Sequence, residues 1–441
     1  MKHNNILKIP SSDKIKNHCL DALSVYWPNN QNLISKLPIK NKIISIVPGK
    51  PLKLAEVRLP DWADHCGVNN KILIPDECIM NTKESESNWD EIDWFLAIFL
   101  LLECWHERLW EAKFGPIHSY SFRLKGWDKR AWEHAWVNRI ALFLKEWAAQ
   151  ENTSDVKSLF GKEPISKIRM THDVDAIRKT FAIRIKQSMF IIFNSLKSLS
   201  KGNFKESFKK LKKSISFLLS NENWMVLDKL LNHLNQFNIV STFHFYGDLQ
   251  KKGPKKILID PGYKVNSKVL KTTFNDIILN NHEVGLHPSF DSYNNIEKLS
   301  LQKNALEHAC GCKVTSVRQH WLRFSWSSTW NCQESVGLEL DTTLMFNDRP
   351  GFRNSSALLW NPWNQNKSHS HKIKALPSII MDSHIYDYLE LDERQHTDFM
   401  RSFIKECKML NGEAAVLWHP HTLTNDYGWS SGFTKLLNLI E

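Results

Sequence analysis

The stretch MTHDVDAIRK, Met170–Lys179, decides how this chain is read. Ile168–Met170 has the character of a buried strand's tail, and such a strand should run into a turn former. It runs instead into His172, Asp173 and Asp175. Two carboxylates and an imidazole at one strand end need a reason.

The residues that follow supply one. Short apolar runs alternate with helical stretches: KIRMTHDVD, NWMVLDKLLNHLNQF, IVSTFHFYG, a helix before HEVGLH, EKLSLQKNALEHA and VTSVRQH. Such β–α alternation predicts an α/β fold with a parallel sheet or barrel. Folds of that kind gather their chemistry at the C-terminal strand ends. Four further polar clusters fall at such ends: His282, Glu283, His287 and Asp291; Arg318, His320 and Arg323; Asp341, Asp348 and Arg353; His419 and His421. Singly, an Asp at a strand end is a cap or turn former and a lone His is a core residue. Five clusters at successive strand ends point to one site.

One segment interrupts the alternation. Between Ile177 and Ser214 stand eleven Lys and Arg against Glu206 alone, close to the chain's whole net charge of +11. Apolar residues recur there at helical spacing, and Gly202-Asn203 makes a turn. A basic amphipathic helical hairpin is expected as an insert at about 177–222. Its apolar faces are expected to pack against the rest of the protein. The alternative is peripheral contact with an anionic membrane.

Upstream, residues 1–160 read as a smaller α+β domain of unassigned role, with strand-like runs KIISIV and KILIP and two Trp-rich helical stretches, IDWFLAIFLLLECWHERLW and RAWEHAWVNRIALFLKEW. His106 and Glu107 read as helix-surface or core polar groups. AAQENTSDVKSLFGKEP reads as a linker. The second domain is expected over 165–441.

Composition bounds the rest. The chain has 441 residues, 42% hydrophobic and 24% charged, the profile of a globular protein. Its 18 Trp fill core volume or line a sugar cleft. The apolar run Trp94–Leu102 is too short to span a bilayer. Eight Cys are scattered without a CxxC pair, and the N-terminal MKHNNILKIPSS lacks a secretion signal's apolar core. A cytoplasmic protein is expected. The positive charge sits in one insert and no nucleic-acid motif accompanies it, so a nucleic-acid partner is not expected.

In their order, the five clusters resemble the polysaccharide deacetylases, the NodB-homology fold of carbohydrate esterase family 4. MTHDVD resembles that family's first motif, NHEVGLHPSFD the second, RQHW the third, LDTTL the fourth and VLWHP the fifth. The whole chain further resembles a bacterial subgroup with THDVD, EIGLHPS, RQHYLRF and GFR segments behind an extra N-terminal domain. The resemblance implies a distorted NodB-like (β/α) barrel and a metal-dependent amide hydrolase, most simply an N-deacetylase of an acetylated amino sugar. It implies that a divalent metal, zinc or a similar ion, binds Asp175 and His287. It makes Asp173 the general base, Arg318 its orienting partner and His419 the acid that protonates the leaving amine. Family pattern, not spacing, separates Asp173 from Asp175; the reverse assignment is the alternative. His320, Asp341 and Arg353 become substrate-binding candidates.

Two departures stand out. The family's second motif ends in a His four residues after the first, where this chain has Asp291. The third motif usually carries Pro and Tyr after its Arg, where this chain has Gln319, His320 and Trp321. A catalytic zinc needs three protein ligands, and the third is Asp291 or His320. Asp291 is preferred because its chain position matches. A cytoplasmic enzyme of this kind is expected to act on a sugar precursor, a lipid-linked intermediate or another small amide. The competing reading is a catalytically degenerate NodB-like domain that binds a glycan or scaffolds polysaccharide assembly.

Overall fold

The computed structural model describes residues 7–80, 88–250, 253–389 and 391–441. Compactness divides the chain into two units. One comprises Met1–Arg169, Trp321–Glu390 and Asp398–Val416, the other Met170–His320, Leu391–Thr397 and Leu417–Glu441. The two-domain reading at 1–160 and 165–441 remains a separate proposal, because each unit draws on three segments.

In the first unit KIISIV forms no strand. Strands β1 (Leu54–Arg58) and β2 (Lys71–Pro75) pair antiparallel, with Leu54 opposite Pro75. The apolar run becomes helix α1 (Trp94–Leu102), and all of its residues are buried. Asp93 caps it by accepting a hydrogen bond from Leu96 N at 2.9 Å, which satisfies one orphan amide of the first turn. This is a core helix. After α2 (Trp105–Phe114) comes α3 (Trp136–Glu151). The second Trp-rich stretch opens as a 3₁₀ turn, Lys129–Trp132, and α3 runs past Trp147 into the segment read as a linker.

The second unit holds the alternation. Strand β3 (Lys167–Val174) enters it, and its last five residues are buried. Helices α4 (Phe181–Ser200) and α5 (Phe204–Leu219) form the expected hairpin, with Gly202 at φ +76° in the turn. Only glycine takes that conformation freely. Thr180 and Asn203 cap the two helices. The apolar faces differ from expectation: most of their large side chains are exposed. There follow α6 (Leu227–Gln236), β4 (Ser241–Tyr246), α7 (Lys268–Leu279), β5 (Glu283–His287), α8 (Ile296–Cys310) and β6 (Ser316–Val317).

All pairings from β3 to β6 are parallel. Every residue of β4 is buried, as befits a strand covered on both faces. Phe243, Phe245 and Leu286 are buried, as are Leu230 and Leu234 of α6, Phe274 of α7 and Leu306 of α8, and the Phe245 and Phe274 rings lie 4.8 Å apart, centroid to centroid. The register sets Asp173 beside His244, His244 beside Gly285 and Tyr246 beside His287.

The chain then contributes β7 (Leu340–Asp341) and β8 (Lys374–Ala375), a parallel pair in the first unit. It closes with β9 (Glu413–Leu417) and α9 (Ser430–Ile440). Trp418 N donates to Thr171 O at 3.0 Å, which lays the end of β9 beside β3 in the second unit. The fold is α/β, built on a parallel sheet of the (β/α)-barrel kind. No helix of the described residues is long and apolar enough to cross a membrane.

Candidate active site

Alternation along β3 sets Asp173 on one face and His172 on the other. Asp175 lies just past the strand, where its N–H donates to the Asp173 carbonyl at 3.0 Å. His172 sits 4.8 Å from the Phe243 ring and 5.9 Å from Phe433, centroid to centroid, and its Nδ1 donates to Trp418 O at 2.8 Å. Burial pushes its pKa down to about 3, and the Trp418 carbonyl offsets this only in part. The imidazole is a core residue.

Asp175 meets two other imidazoles. His287 Nε2 lies 3.2 Å from Asp175 Oδ1, and His320 Nε2 lies 3.7 Å from the same oxygen. One ligand atom from each of the three residues falls within 4.8 Å of the others. The opposite ring nitrogens are already engaged. His287 Nδ1 faces the Arg318 carbonyl at 2.8 Å, and His320 Nδ1 faces Asp260 Oδ1 at 3.1 Å. Both partners only accept, so the ring proton belongs on Nδ1 and each Nε2 presents a lone pair. Asp175 Oδ1 is itself buried and faces both Nε2 atoms. Three electron-pair donors therefore converge on one point, an arrangement that fits a divalent cation. With no cation, a proton is what remains to neutralise them. Burial pushes the His287 pKa down, but Asp173 and Asp175 outweigh it and hold it above the ordinary value. Burial also opposes the charge on Asp175, yet His287, His320 and His419 hold its carboxyl well below the usual range.

Asp173 is placed differently. Arg318 Nη1 donates to Thr171 Oγ1 at 2.8 Å and to Asp173 Oδ1 at 3.2 Å. His244 Nδ1 stands 3.4 Å from the same oxygen. Burial raises the Asp173 pKa, but the Arg318 guanidinium and His287 override it and keep the carboxyl ionised. Gly285 makes room for His244. A Cβ there would lie 2.6 Å from His244 Cδ2, closer than real side chains allow.

His419, just past β9, completes the group: its Nε2 lies 3.6 Å from Asp175 Oδ2. Asp173, Asp175, His287, Arg318, His320 and His419 thus all belong to the second unit and share one strand-end cluster.

Three expectations need correction. Asp291 is exposed and is not among the converging groups, whereas His320 is. The reason is local. His287 ends β5 and Pro288 follows, so Asp291 lies in a turn whose side chain looks outward, while His320 is turned inward by Asp260. His320, expected to touch substrate, is accounted for by that cluster. Asp341 and Arg353, also expected to bind substrate, belong to the first unit and have buried structural partners. Asp341 accepts from Trp330 Nε1 at 2.9 Å and Gln333 Nε2 at 3.1 Å. Arg353 donates to Met345 O at 2.9 Å and to Glu107 Oε2 at 3.3 Å. Glu107 is thereby a core polar group, as is His106, whose Nε2 lies 3.1 Å from Glu77 Oε1.

Sequence reading passed over Asp260, His244 and Thr171. Asp260 precedes Pro261-Gly262 and reads as a turn former. His244 is embedded in STFHFY, where only its parity with Asp173 in the neighbouring strand carries a signal.

No family model and no curated protein matches the chain. Similar solved structures include a Mycobacterium smegmatis protein that bears the polysaccharide deacetylase name. It is 15% identical over 63% of this chain and 85% of that one, with a TM-score of 0.37. The Xyl-CE4 domain of a multidomain xylanase from the hindgut metagenome of Trinervitermes trinervoides is 9% identical over 62% and 82%, at a TM-score of 0.29. A CE4-family pseudoenzyme of Bacillus anthracis is 12% identical over 63% and 60%, at 0.27. At these TM-scores the likeness assigns no activity, and the chemistry rests on the residues.

Proposed function

We propose that this chain is a metal-dependent hydrolase of a non-peptide amide bond, with N-deacetylation of an acetylated amino sugar as its reaction. The observation that carries the reading is the convergence of Asp175 Oδ1, His287 Nε2 and His320 Nε2 beside an Arg318-held Asp173. Asp175, His287 and His320 would hold the cation, and one carboxylate with two imidazoles suits zinc or a similar borderline ion. When bound, such a cation supplies Lewis acidity, polarising an amide carbonyl and acidifying water.

The chain's own groups supply the proton traffic. Arg318 fixes the Asp173 carboxylate and keeps it ionised, so it is ready to take a proton from the attacking water. His419 lies across Asp175 from the other imidazoles and would protonate the departing amine. Water is split between an acetate and a free amine, and the two protons are accounted for by base and acid. The sugar preference comes from the motif resemblance. A cytoplasmic site of action belongs to the same proposal, supported by eight free cysteines.

The test is metal content and turnover together. Purified protein dialysed against zinc or cobalt should retain about one ion per chain and release acetate from N-acetylated amino sugars. A folded protein that retains no metal and gains no activity on metal addition would overturn this in favour of a glycan-binding or scaffold role.

A further inference from the structure

The α4–α5 hairpin buries its small polar residues and exposes its large apolar ones. Ser188, Ser195 and Ser198 of α4 are buried, as are Ser207 and Ser214 of α5. Ser188 Oγ donates to Ser214 O at 3.3 Å, Ser214 Oγ to Ser188 O at 3.0 Å and Ser195 Oγ to Ser207 O at 2.7 Å. Small residues let two helices approach closely, but this seam removes little apolar surface from water.

That surface lies elsewhere. Phe181 is 77% exposed, Phe204 71%, Phe208 72% and Leu219 70%. On α4 the exposed stripe runs Phe181, Ile185, Met189, Ile192, Leu196, Leu199; on α5 it runs Phe204, Phe208, Leu211, Ile215, Leu218. At about 100° per residue each stripe lies roughly a quarter turn from its own serine face, in the same rotational sense on both helices. The helices run antiparallel, so equal rotations put both stripes on one side of the hairpin. Lys197 of α4 and Lys205, Lys209 and Lys212 of α5 are exposed and lie further round, along the outer edges of that side.

The base of the hairpin is fixed. Lys179 Nζ pairs with Asp426 Oδ2 at 2.9 Å, Trp224 Nε1 donates to the same oxygen at 2.7 Å, and Ile191, Phe217 and Trp224 share a small core. The hairpin thus has its own anchorage in the second unit, and among the described residues its apolar side is left uncovered.

We propose that this side docks on an anionic lipid bilayer, with the two stripes in the headgroup–acyl boundary and the flanking lysines against lipid phosphates. Charge selects the occupant. A second copy would press two faces of the same strong positive charge together. An apolar protein groove would leave the lysine edges unmatched, whereas an anionic membrane meets both features at once. No described helix can cross a bilayer, so the hairpin lies in the plane of the surface. The proposal stands independently of the hydrolase reading.

Sedimentation of the full chain tests it, with vesicles of phosphatidylcholine alone or with about a third phosphatidylglycerol. The protein should pellet with the anionic vesicles and not with the neutral ones. Raising salt to about 1 M, where the screening length falls to about 3 Å, should weaken binding. Phe204→Glu with Phe208→Glu, both at exposed positions, should keep the circular dichroism and melting temperature while lowering the partition coefficient roughly tenfold or more. Failure of the wild-type chain to pellet with anionic vesicles would overturn the proposal. So would equal pelleting of the double variant. A dimer that the double variant dissolves, without vesicle binding, would assign the face to a second copy instead.

Discussion

His320 Nδ1 stands 3.1 Å from Asp260 Oδ1, and this pair turns the ring's Nε2 toward Asp175. Asp260 is held in turn by Phe290 N at 3.0 Å. A carboxylate behind an imidazole fixes its tautomer and makes it a better electron-pair donor.

Metal retention after dialysis should therefore follow the cluster. Asp260→Asn should weaken affinity about 10–100-fold, as loss of a partner behind a ligand does. His320→Ala should weaken it further, and Asp291→Ala should leave it near wild type. Titration calorimetry with zinc or cobalt reads all three. Retention by His320→Ala together with loss in Asp291→Ala would show that the cluster is not the ligand set.

Asp173 and Asp175 should separate kinetically. Asp173→Asn should lower kcat by about 10²–10⁴ while keeping the metal, because it removes a base and leaves the ligands intact. Asp175→Asn should lose the metal first. The opposite pattern would exchange their roles.

Gly285 offers a packing test of the site's floor. Gly285→Ala would force its Cβ against the His244 ring, which itself contacts Asp173. Overpacking of this kind costs about 1–3 kcal/mol, read as a lower melting temperature. Adding His244→Ala should recover most of the loss if the clash is the cause.

Buried neutral histidines set an acid limit. His172 is pushed down to about 3 and His384 to about 4, chiefly by burial. Their unfolded counterparts take up protons below about 6.5. In that window the unfolded chain binds more protons, so stability falls as pH drops from about 6.5 toward 4. Asp173 and Asp175, held low in the fold, add a further loss below about 4. His287 works the other way in metal-free protein: its stabilisation is present below about 6.5 and lost as pH rises. The depressed histidines, which also include His118 and His244 at about 4, outnumber the one raised, so the melting temperature of chelator-treated protein should decline over this range. His172→Phe should make the decline shallower, and an unchanged slope would remove His172 from the explanation.

Sequence by itself determined the class of fold and which strand ends carry most of the clustered polar residues. The β–α alternation from Lys167 onward carried the parallel sheet, because apolar periodicity is a local property. Strand ends put Asp173, Asp175, His287, Arg318 and His419 in one neighbourhood, because parallel strands deliver their C-terminal ends to a common edge. The basic hairpin was legible from its spacing and its Gly202 turn.

Tertiary structure alone decided the third converging group, and motif position misled there. Asp291 lies four residues beyond His287 in a turn, and nothing in that spacing tells which way the chain bends after Pro288. His320 qualifies because Asp260, far away in sequence, orients it. Asp341 and Arg353 look like site residues until Trp330, Gln333, Glu107 and Met345 are seen to satisfy them. In the hairpin, spacing placed the apolar stripes but not what faces them. The Ser188–Ser214 and Ser195–Ser207 contacts turned those stripes outward. In each case the deciding contact joins residues whose pairing depends on the path of the folded chain, which no local pattern encodes.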